Sequence, residues 1–326
     1  MNGKVWICLL LSVHICGMAS YGQVVSEIQE VVNLRDSVVQ QVLLDEALKM
    51  DDWDILPEIR FWRQAMNLTG DSCILNIADT RETLLIFPTI WYDTLPESKK
   101  VAFKDSMIQR LELPESTRLY ITYGKREYYQ FDEILGDVDR GISVFEREAV
   151  DPWYAQTILL IESPGFNRVS INGARGRFQL MKYVAIKEGL TVNADLDERD
   201  DFDKSAQAAA KYIKRVCIPE ARRLMAKRGI AVYEKDLWFR LLVMHIYHAG
   251  GRNVSGALSQ IPRSYRGMKL IQKLWHTRYR GFQNASQNYS QIAVAALLEL
   301  QELVSKTCDL YCLNLVPPSV GASAKT

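Results

Sequence analysis

The stretch DPWYAQTILLIESPGFNRVSINGARGRFQLMKYVA, residues 151–185, decides how the chain folds. Asp151 suits the N-cap of a helix and Pro152 its first position, so a helix is predicted to run from here to the turn-rich segment that follows. Its last turn is apolar (residues 158–161) and ends in a single acid, Glu162. The helix dipole and the apolar neighbours both disfavour a carboxylate there, and a carboxyl group kept protonated suits a general acid. The alternative is that Glu162 points into solvent, as most glutamates do at helix ends.

The residues after Glu162 turn on glycines, at Gly173 and Gly176, before a second apolar-periodic helix that runs to about Gly189. This loop is predicted to fold back over the glutamate and to frame a cleft.

Two blocks of sequence resemble the lysozyme-like lytic transglycosylases, in particular the membrane-bound lytic transglycosylase D branch. The first block comprises Glu162 and Ser163, Ser170, the turn GARG at 173–176 and QLM at 179–181. The second reads IYHAG at 246–250, and the pair ER at 198–199 with SAQAAAKY at 205–212 is similar to the helix that links the blocks. The resemblance covers about residues 130–260.

The resemblance implies an enzyme that cleaves peptidoglycan between N-acetylmuramic acid and N-acetylglucosamine and leaves 1,6-anhydro ends. It gives Glu162 the catalytic role, first as acid toward the leaving oxygen and then as base toward the muramic 6-hydroxyl. Ser163 and Ser170 are expected to hydrogen-bond the acid or the substrate, and Gln179 and Tyr247 are expected to line the cleft. No cofactor and no metal are expected.

His248 departs from the family pattern, which usually has an asparagine there. A histidine donates a similar hydrogen bond, and it also titrates near neutral pH unless its surroundings prevent this. The alternative for His248 is a cap on its own helix. For Ser163, Ser170 and Gln179 the alternative is ordinary loop hydrogen bonding, and for Tyr247 it is a core position.

Two other functions compete with the lytic transglycosylase. A muramidase on the same scaffold would use water, and it would need a second acid near Glu162, from residues 195–203 or from Glu148. A non-catalytic module would bind peptidoglycan or a partner protein, although a binder has little need of a buried acid. The N-terminal domain is a candidate surface for cell-envelope protein partners.

The composition is that of an ordinary globular protein, with 326 residues, 48% hydrophobic and 24% charged. A net charge of +1 gives no reason to expect nucleic acid as a partner. Residues 1–22 read as an export signal, with Lys4 before a short apolar core, so the periplasm is the expected location. Lipid anchoring at Cys16 is disfavoured, because His14 and Ile15 fit a lipid-attachment sequence badly.

The predicted fold class is α+β, a mainly α-helical lysozyme-like catalytic domain at 131–316 preceded by a small α/β accessory domain within 23–130, with a disordered tail at 317–326. Helical periodicity predicts a helix over 24–50. Strands are predicted at 73–77, 83–87 and 118–123, a helix at 96–111, and a hairpin turn at 124–125 into a strand at 127–131. The four aromatic residues in this region are expected to be core rather than sugar-stacking residues: Trp91, Tyr92, Tyr128 and Tyr129.

The helical part is predicted to include a helix from about 205 that Pro219 interrupts, an apolar helix at 237–248 capped by Asp236, and a last helix at about 289–307. Once the signal is removed four cysteines are left, Cys73, Cys217, Cys308 and Cys312, whose pairing stays open.

Overall fold

The computed structural model describes residues 6–8, 27–33, 39–45, 47–50, 52–162 and 169–315. These residues form an α+β protein with two three-stranded antiparallel sheets, in the strand orders β1-β2-β3 and β5-β4-β6. The strands are β1 (Trp6–Cys8), β2 (Glu27–Asn33), β3 (Val39–Leu44), β4 (Ser72–Ile77), β5 (Thr83–Pro88) and β6 (Leu119–Tyr123).

Helices make up most of the rest. They are α1 (Ala47–Met50), α2 (Pro57–Asn67), α3 (Thr89–Asp93), α4 (Glu97–Arg110), α5 (Leu135–Arg147), α6 (Trp153–Glu162), α7 (Lys182–Lys187), α8 (Phe202–Tyr212), α9 (Ile218–Lys227), α10 (Leu237–Ala249), α11 (Gly251–Ser259), α12 (Gly267–Trp275) and α13 (Asn284–Leu315).

Helix α6 is the buried centre of the fold, and every residue from Trp153 to Ile161 is buried. The backbone N–H of Trp153 donates to Asp151 Oδ1 at 3.1 Å, as the predicted N-cap requires. Gln156 is fully buried, and its side chain exchanges two 2.8 Å hydrogen bonds with the backbone of Leu43 in β3. A buried amide is tolerated only when it is paired, so this contact fixes the first sheet against α6.

One hydrophobic core includes residues from both sides of residue 130, the predicted domain boundary. One cluster of buried residues runs from Val42 to Val304. Helices α2 and α13 pack together, and Trp62 Nε1 donates to Gln291 Oε1 at 2.9 Å between them. The second sheet is therefore attached to the helical part through α2 and α13.

The predicted helix over 24–50 is wrong. Residues 27–33 and 39–44 are strands that pair antiparallel, and within the described residues of this region only Ala47–Met50 is helical. The segment is rich in β-branched valine and isoleucine, which favour strands, and the pairing of two distant stretches overrides a helical spacing. β1 lies within the predicted signal segment and pairs with β2.

The predictions for 72–123 are confirmed by β4, β5, α4 and β6. The strand predicted at 127–131 is wrong, because β6 pairs with β4 and the residues after it form a turn. The backbone N–H groups of Gly124, Lys125 and Arg126 donate to carbonyls of residues 72, 65 and 68, so they are not available for a hairpin.

The aromatic residues of this region are mostly core, as expected. Tyr92 and Tyr129 are buried and Tyr128 is partly buried, but Trp91 is 44% exposed.

The helix at 205 continues past Pro219, contrary to the predicted interruption. A π-helical turn, Ile213–Cys217, joins α8 directly to α9, and Pro219 lies in the first turn of α9. Proline is well tolerated there because the first N–H groups of a helix have no intrahelical partner. The last helix begins at Asn284 and ends at Leu315, so it is longer than predicted.

Cys73 and Cys217 are buried free thiols. The predicted tail at 317–326 lies outside the described residues, as does most of the predicted signal. In the part of the chain that the structure describes, no helix combines the length and apolarity that a membrane crossing requires.

Candidate active site

Five of the predicted site residues line one cleft of about 340 Å³ between the end of α6, the loop of residues 169–181 that turns on Gly173 and Gly176 (the glycine loop), and the end of α10. They are Glu162, Ser170, Gln179, Tyr247 and His248. The sixth, Ser163, lies outside the described residues. The two sequence blocks, which are far apart in the chain, therefore meet at one concave surface.

Glu162 is the last residue of α6, and its side chain is 20% exposed. Its Oε1 accepts a 2.8 Å hydrogen bond from the hydroxyl of Tyr289, which lies on α13 and is 5% exposed. Its backbone carbonyl accepts a 3.0 Å hydrogen bond from the Tyr128 hydroxyl, so a carbonyl at the end of α6 is satisfied. Glu162 is thus held at the cleft wall by two distant parts of the chain, its carboxyl group by Tyr289 and its backbone by Tyr128.

Tyr289 is a neutral hydrogen-bond donor. Burial, and then the charge of Glu162, raise the pKa of Tyr289 well above its usual range. The phenol therefore keeps its proton at neutral pH and directs it at Oε1 of Glu162.

The imidazole of His248 stacks on the ring of Tyr289, with 4.2 Å between ring centroids and 23° between planes. Its Nδ1 lies 4.0 Å from Oε1 of Glu162. Burial lowers the pKa of His248 to about 4, although 28% of its side chain is exposed. The imidazole is therefore neutral at neutral pH, and its contact with Glu162 there is not an ion pair. His248 therefore titrates at a lower pH than the near-neutral value of an ordinary histidine.

The glycine loop forms the opposite wall. Ser170 Oγ accepts from the backbone N–H of Ala174 at 2.9 Å, and the Ser170 N–H donates to the Ala174 carbonyl at 2.8 Å. The hydroxyl of Ser170 therefore closes the loop. Gly176 has φ +81°, and a Cβ built on it would lie 1.9 Å from the carbonyl oxygen of Arg199. A side chain at position 176 would thus be excluded by both conformation and space.

Arg199 holds this loop from behind and is almost fully buried. Its Nη1 donates to the carbonyls of Gly173 at 2.8 Å and Leu180 at 3.0 Å, while Nε and Nη2 bind the carboxylate of Asp197 at 2.9 and 2.7 Å. The arginine of the ER pair thus shapes the cleft without lining it.

Tyr247 and Gln179 are committed to loop contacts. The Tyr247 hydroxyl donates to the carbonyl of Phe178 at 2.5 Å, so it supports the loop. Gln179 has a positive φ of 47° and donates from Nε2 to the Gly176 carbonyl at 2.8 Å. Both residues line the cleft, as expected.

Among the described residues that line this cleft, Glu162 is the one acid. Neither Glu148 nor any acid of residues 195–203 is among the described residues that line it. Glu148 accepts from Gln207 Nε2 at 2.6 Å, and Asp200 and Asp203 form ion pairs with Arg175 and Arg140. Within the described ranges, no group of three or more histidine, cysteine or acidic side chains is arranged to hold a metal ion.

Two tyrosines of the site were missed from the sequence. Tyr289 lies 127 residues from Glu162 on a helix that carries no motif, and Tyr128 is in a segment predicted to be a strand. Their order along the chain gives no signal, because only the packing of α13 and of the turn after β6 brings them to the end of α6.

The arrangement can transfer one proton. A mostly buried carboxyl group, held by a phenol donor, faces a cleft large enough for part of a saccharide chain. Comparison with known proteins finds neither a matching protein-family model nor a matching curated protein.

Proposed function

We propose that this protein is a peptidoglycan lytic transglycosylase that uses Glu162 as both acid and base. The observation that carries the proposal is a cleft whose described lining offers one acid, with its Oε1 bound by the neutral phenol of Tyr289. The helical part around this cleft, α5 to α13, is proposed to be a lysozyme-like domain.

A single carboxyl group is enough for this reaction. Ordinary glycosidases need a second carboxylate as nucleophile or as base toward water. In the transglycosylase reaction the muramic 6-hydroxyl of the substrate attacks its own C1, so the attacking group needs no place in the protein. The bond from C1 to the leaving oxygen breaks, the leaving oxygen takes the proton of Glu162, and the 6-hydroxyl returns a proton to Glu162.

Tyr289 would determine which oxygen of Glu162 carries the transferable proton. Because its hydroxyl donates to Oε1, the transferable proton belongs on Oε2. The same hydrogen bond would stabilise the carboxylate that forms when the proton leaves.

The positions of the other acids support a transglycosylase over a muramidase. Asp197 binds Arg199 behind the loop, and Asp200, Asp203 and Glu148 are engaged away from the cleft. A muramidase would need one of them next to the substrate.

Product analysis tests the proposal. The purified chain would be incubated with sacculi, and the released muropeptides would be identified by mass spectrometry. Anhydro-muramic ends are expected, while reducing ends would indicate a muramidase. Binding without release of fragments would indicate the non-catalytic module. A substrate outside the cytoplasm also requires export, which is the role proposed for residues 1–22, and fractionation of the full-length chain to the cytoplasm would contradict it.

A further inference from the structure

A second cavity, of about 630 Å³, lies away from Glu162. It is formed by the turn after β4, by β6, by the segment that joins α12 to α13 and by the start of α13, and its lining is strongly polar. Three arginines face it, Arg81, Arg118 and Arg278, against the single carboxylate of Asp79.

Arg81 is the buried member of this group, with 7% of its surface exposed. Its guanidinium carbon lies 5.7–5.9 Å from three aromatic ring centroids, those of Phe61, Trp62 and Tyr120. Its Nη2 donates to the side-chain oxygens of Asn284 and Asn288, each at 3.1 Å. Among the described residues no carboxylate forms an ion pair with it, and its side-chain hydrogen bonds are to these two neutral amides alone.

The one carboxylate of the lining is used by the other two arginines. Asp79 Oδ1 lies 2.9 Å from Arg118 Nη2 and 3.8 Å from Arg278 Nη2. His276 also lines the cavity, and its Nε2 lies 3.3 Å from Glu58 Oε1. The cavity therefore keeps an excess of positive charge, concentrated at the guanidinium that has lost most of its water.

A buried guanidinium with no carboxylate in ion-pair contact is costly to the fold, and the more distant charges of Asp79 and Glu58 offset only part of the cost of burying Arg81. Burial lowers the pKa of Arg81, yet an arginine side chain stays protonated in proteins. The first residue of α13, Asn284, lies at the same cavity, so the positive end of a 32-residue helix faces it as well. Each of these features would be stabilised by an anion in the cavity.

We propose that this cavity binds the oxyanion group, a carboxylate or a phosphate, of a polar organic ligand, with Arg81 as its principal partner. A guanidinium presents paired donors that match both groups. The volume lies within the range of about 300–1,000 Å³ typical of small-molecule sites. Gln283 and Gln287 also line the cavity; their Nε2 groups donate to the carbonyls of Arg280 and Thr277, and their side-chain oxygens can accept hydrogen bonds from the rest of the ligand. This proposal is independent of the role of Glu162.

A purely structural role is the competing account, in which Arg81 only ties the turn after β4 to α13. The two accounts differ in ligand binding, which the structural role does not predict.

Calorimetric titration of the full chain, in chloride of matched ionic strength, separates the two ligand sources. One arm uses inorganic phosphate and the other uses N-acetylglycine as a carboxylate. Saturable binding with a Kd of about 1 mM or tighter is expected for at least one probe, which corresponds to roughly 4 kcal/mol. Saturable binding of phosphate alone, of N-acetylglycine alone or of both would identify the anionic group that the cavity accepts. If neither probe binds saturably, the proposal is overturned.

Variants locate the binding. Asn284→Asp would place a carboxylate 3.1 Å from Arg81 Nη2, at an exposed first position of α13 where an acid is well tolerated. It is expected to weaken binding at least 10-fold without loss of folding, and Arg81→Gln is expected to do the same if it folds. Arg140→Gln, which removes an exposed arginine paired with Asp203, is the matched control and should leave the Kd unchanged. Binding that survives Asn284→Asp unchanged would refute the site.

Discussion

Replacing Tyr289 by phenylalanine isolates the hydrogen bond to Glu162. The variant loses the hydroxyl that donates to Oε1 at 2.8 Å, but it keeps the ring that stacks on His248. A hydrogen bond to a charged group contributes about 1.5–3 kcal/mol. If that energy is realised when the carboxylate forms in the transition state, kcat/KM falls by about 10- to 150-fold.

The assay is the initial rate of soluble fragment release from purified sacculi, with the products identified by mass spectrometry. Tyr123→Phe is the matched control. Tyr123 lies on β6, outside the cleft, and its hydroxyl donates to the carboxylate of Asp93 at 2.5 Å. Its rate should equal that of the unchanged protein. A Tyr289→Phe rate within about twofold of the wild type would refute the assignment of this hydrogen bond to catalysis, since a factor of two is only about 0.4 kcal/mol.

Other substitutions test the loop and two histidines, His248 of the cleft and the buried His245. His248→Asn should leave the pH dependence of digestion unchanged around neutral pH, because the pKa of His248 is lowered to about 4; a limb near neutral pH that only the variant lacks would contradict this. Gly176 has φ +81°, and a Cβ there would lie 1.9 Å from the Arg199 carbonyl oxygen, so Gly176→Ala should lower the free energy of unfolding in urea by at least about 3 kcal/mol. Gly173→Ala, with φ +83° and open space, should lose only about 1–2 kcal/mol; equal losses would show that the close approach is unimportant. His245 is fully buried, and burial lowers its pKa to about 3 from the ordinary value of 6.5. Below pH 6.5 the unfolded chain therefore binds more protons at this residue than the folded chain does, so acid destabilises the fold. Between pH 6.5 and pH 5 the wild type should therefore lose about 1.6 kcal/mol more than His245→Phe, and parallel losses would rule this out.

The sequence predicted the elements whose signals are local. The cap at Asp151, the apolar run before Glu162 and the short apolar runs in β4 and β5 each specify their own element, and the structure has them. The helix expected over 24–50 failed because β2 and β3 are decided by pairing between two stretches and by the contact of Gln156 with Leu43. No local period contains that information.

The site was predictable to the extent that its motifs are contiguous. Residues of both blocks line one cleft, but the contacts they make were not foreseen. Tyr247 binds the Phe178 carbonyl, and Arg199 reaches behind the loop to Gly173 and Leu180. These partners follow from the close packing of the loop, where every buried polar group needs a partner, and not from spacing along the chain.

The most direct test of the proposed function is the digestion of sacculi by Glu162→Gln. A glutamine keeps the size of the side chain and an oxygen that can accept from Tyr289, so the fold should be retained. Because general acid catalysis is worth about 10²–10⁴-fold, the release of anhydro-ended fragments should fall by at least about 10²-fold. Glu148→Gln, which changes an acid bound to Gln207, should digest at the wild-type rate. Wild-type digestion by Glu162→Gln would contradict the assignment of Glu162 as the acid and base of this protein.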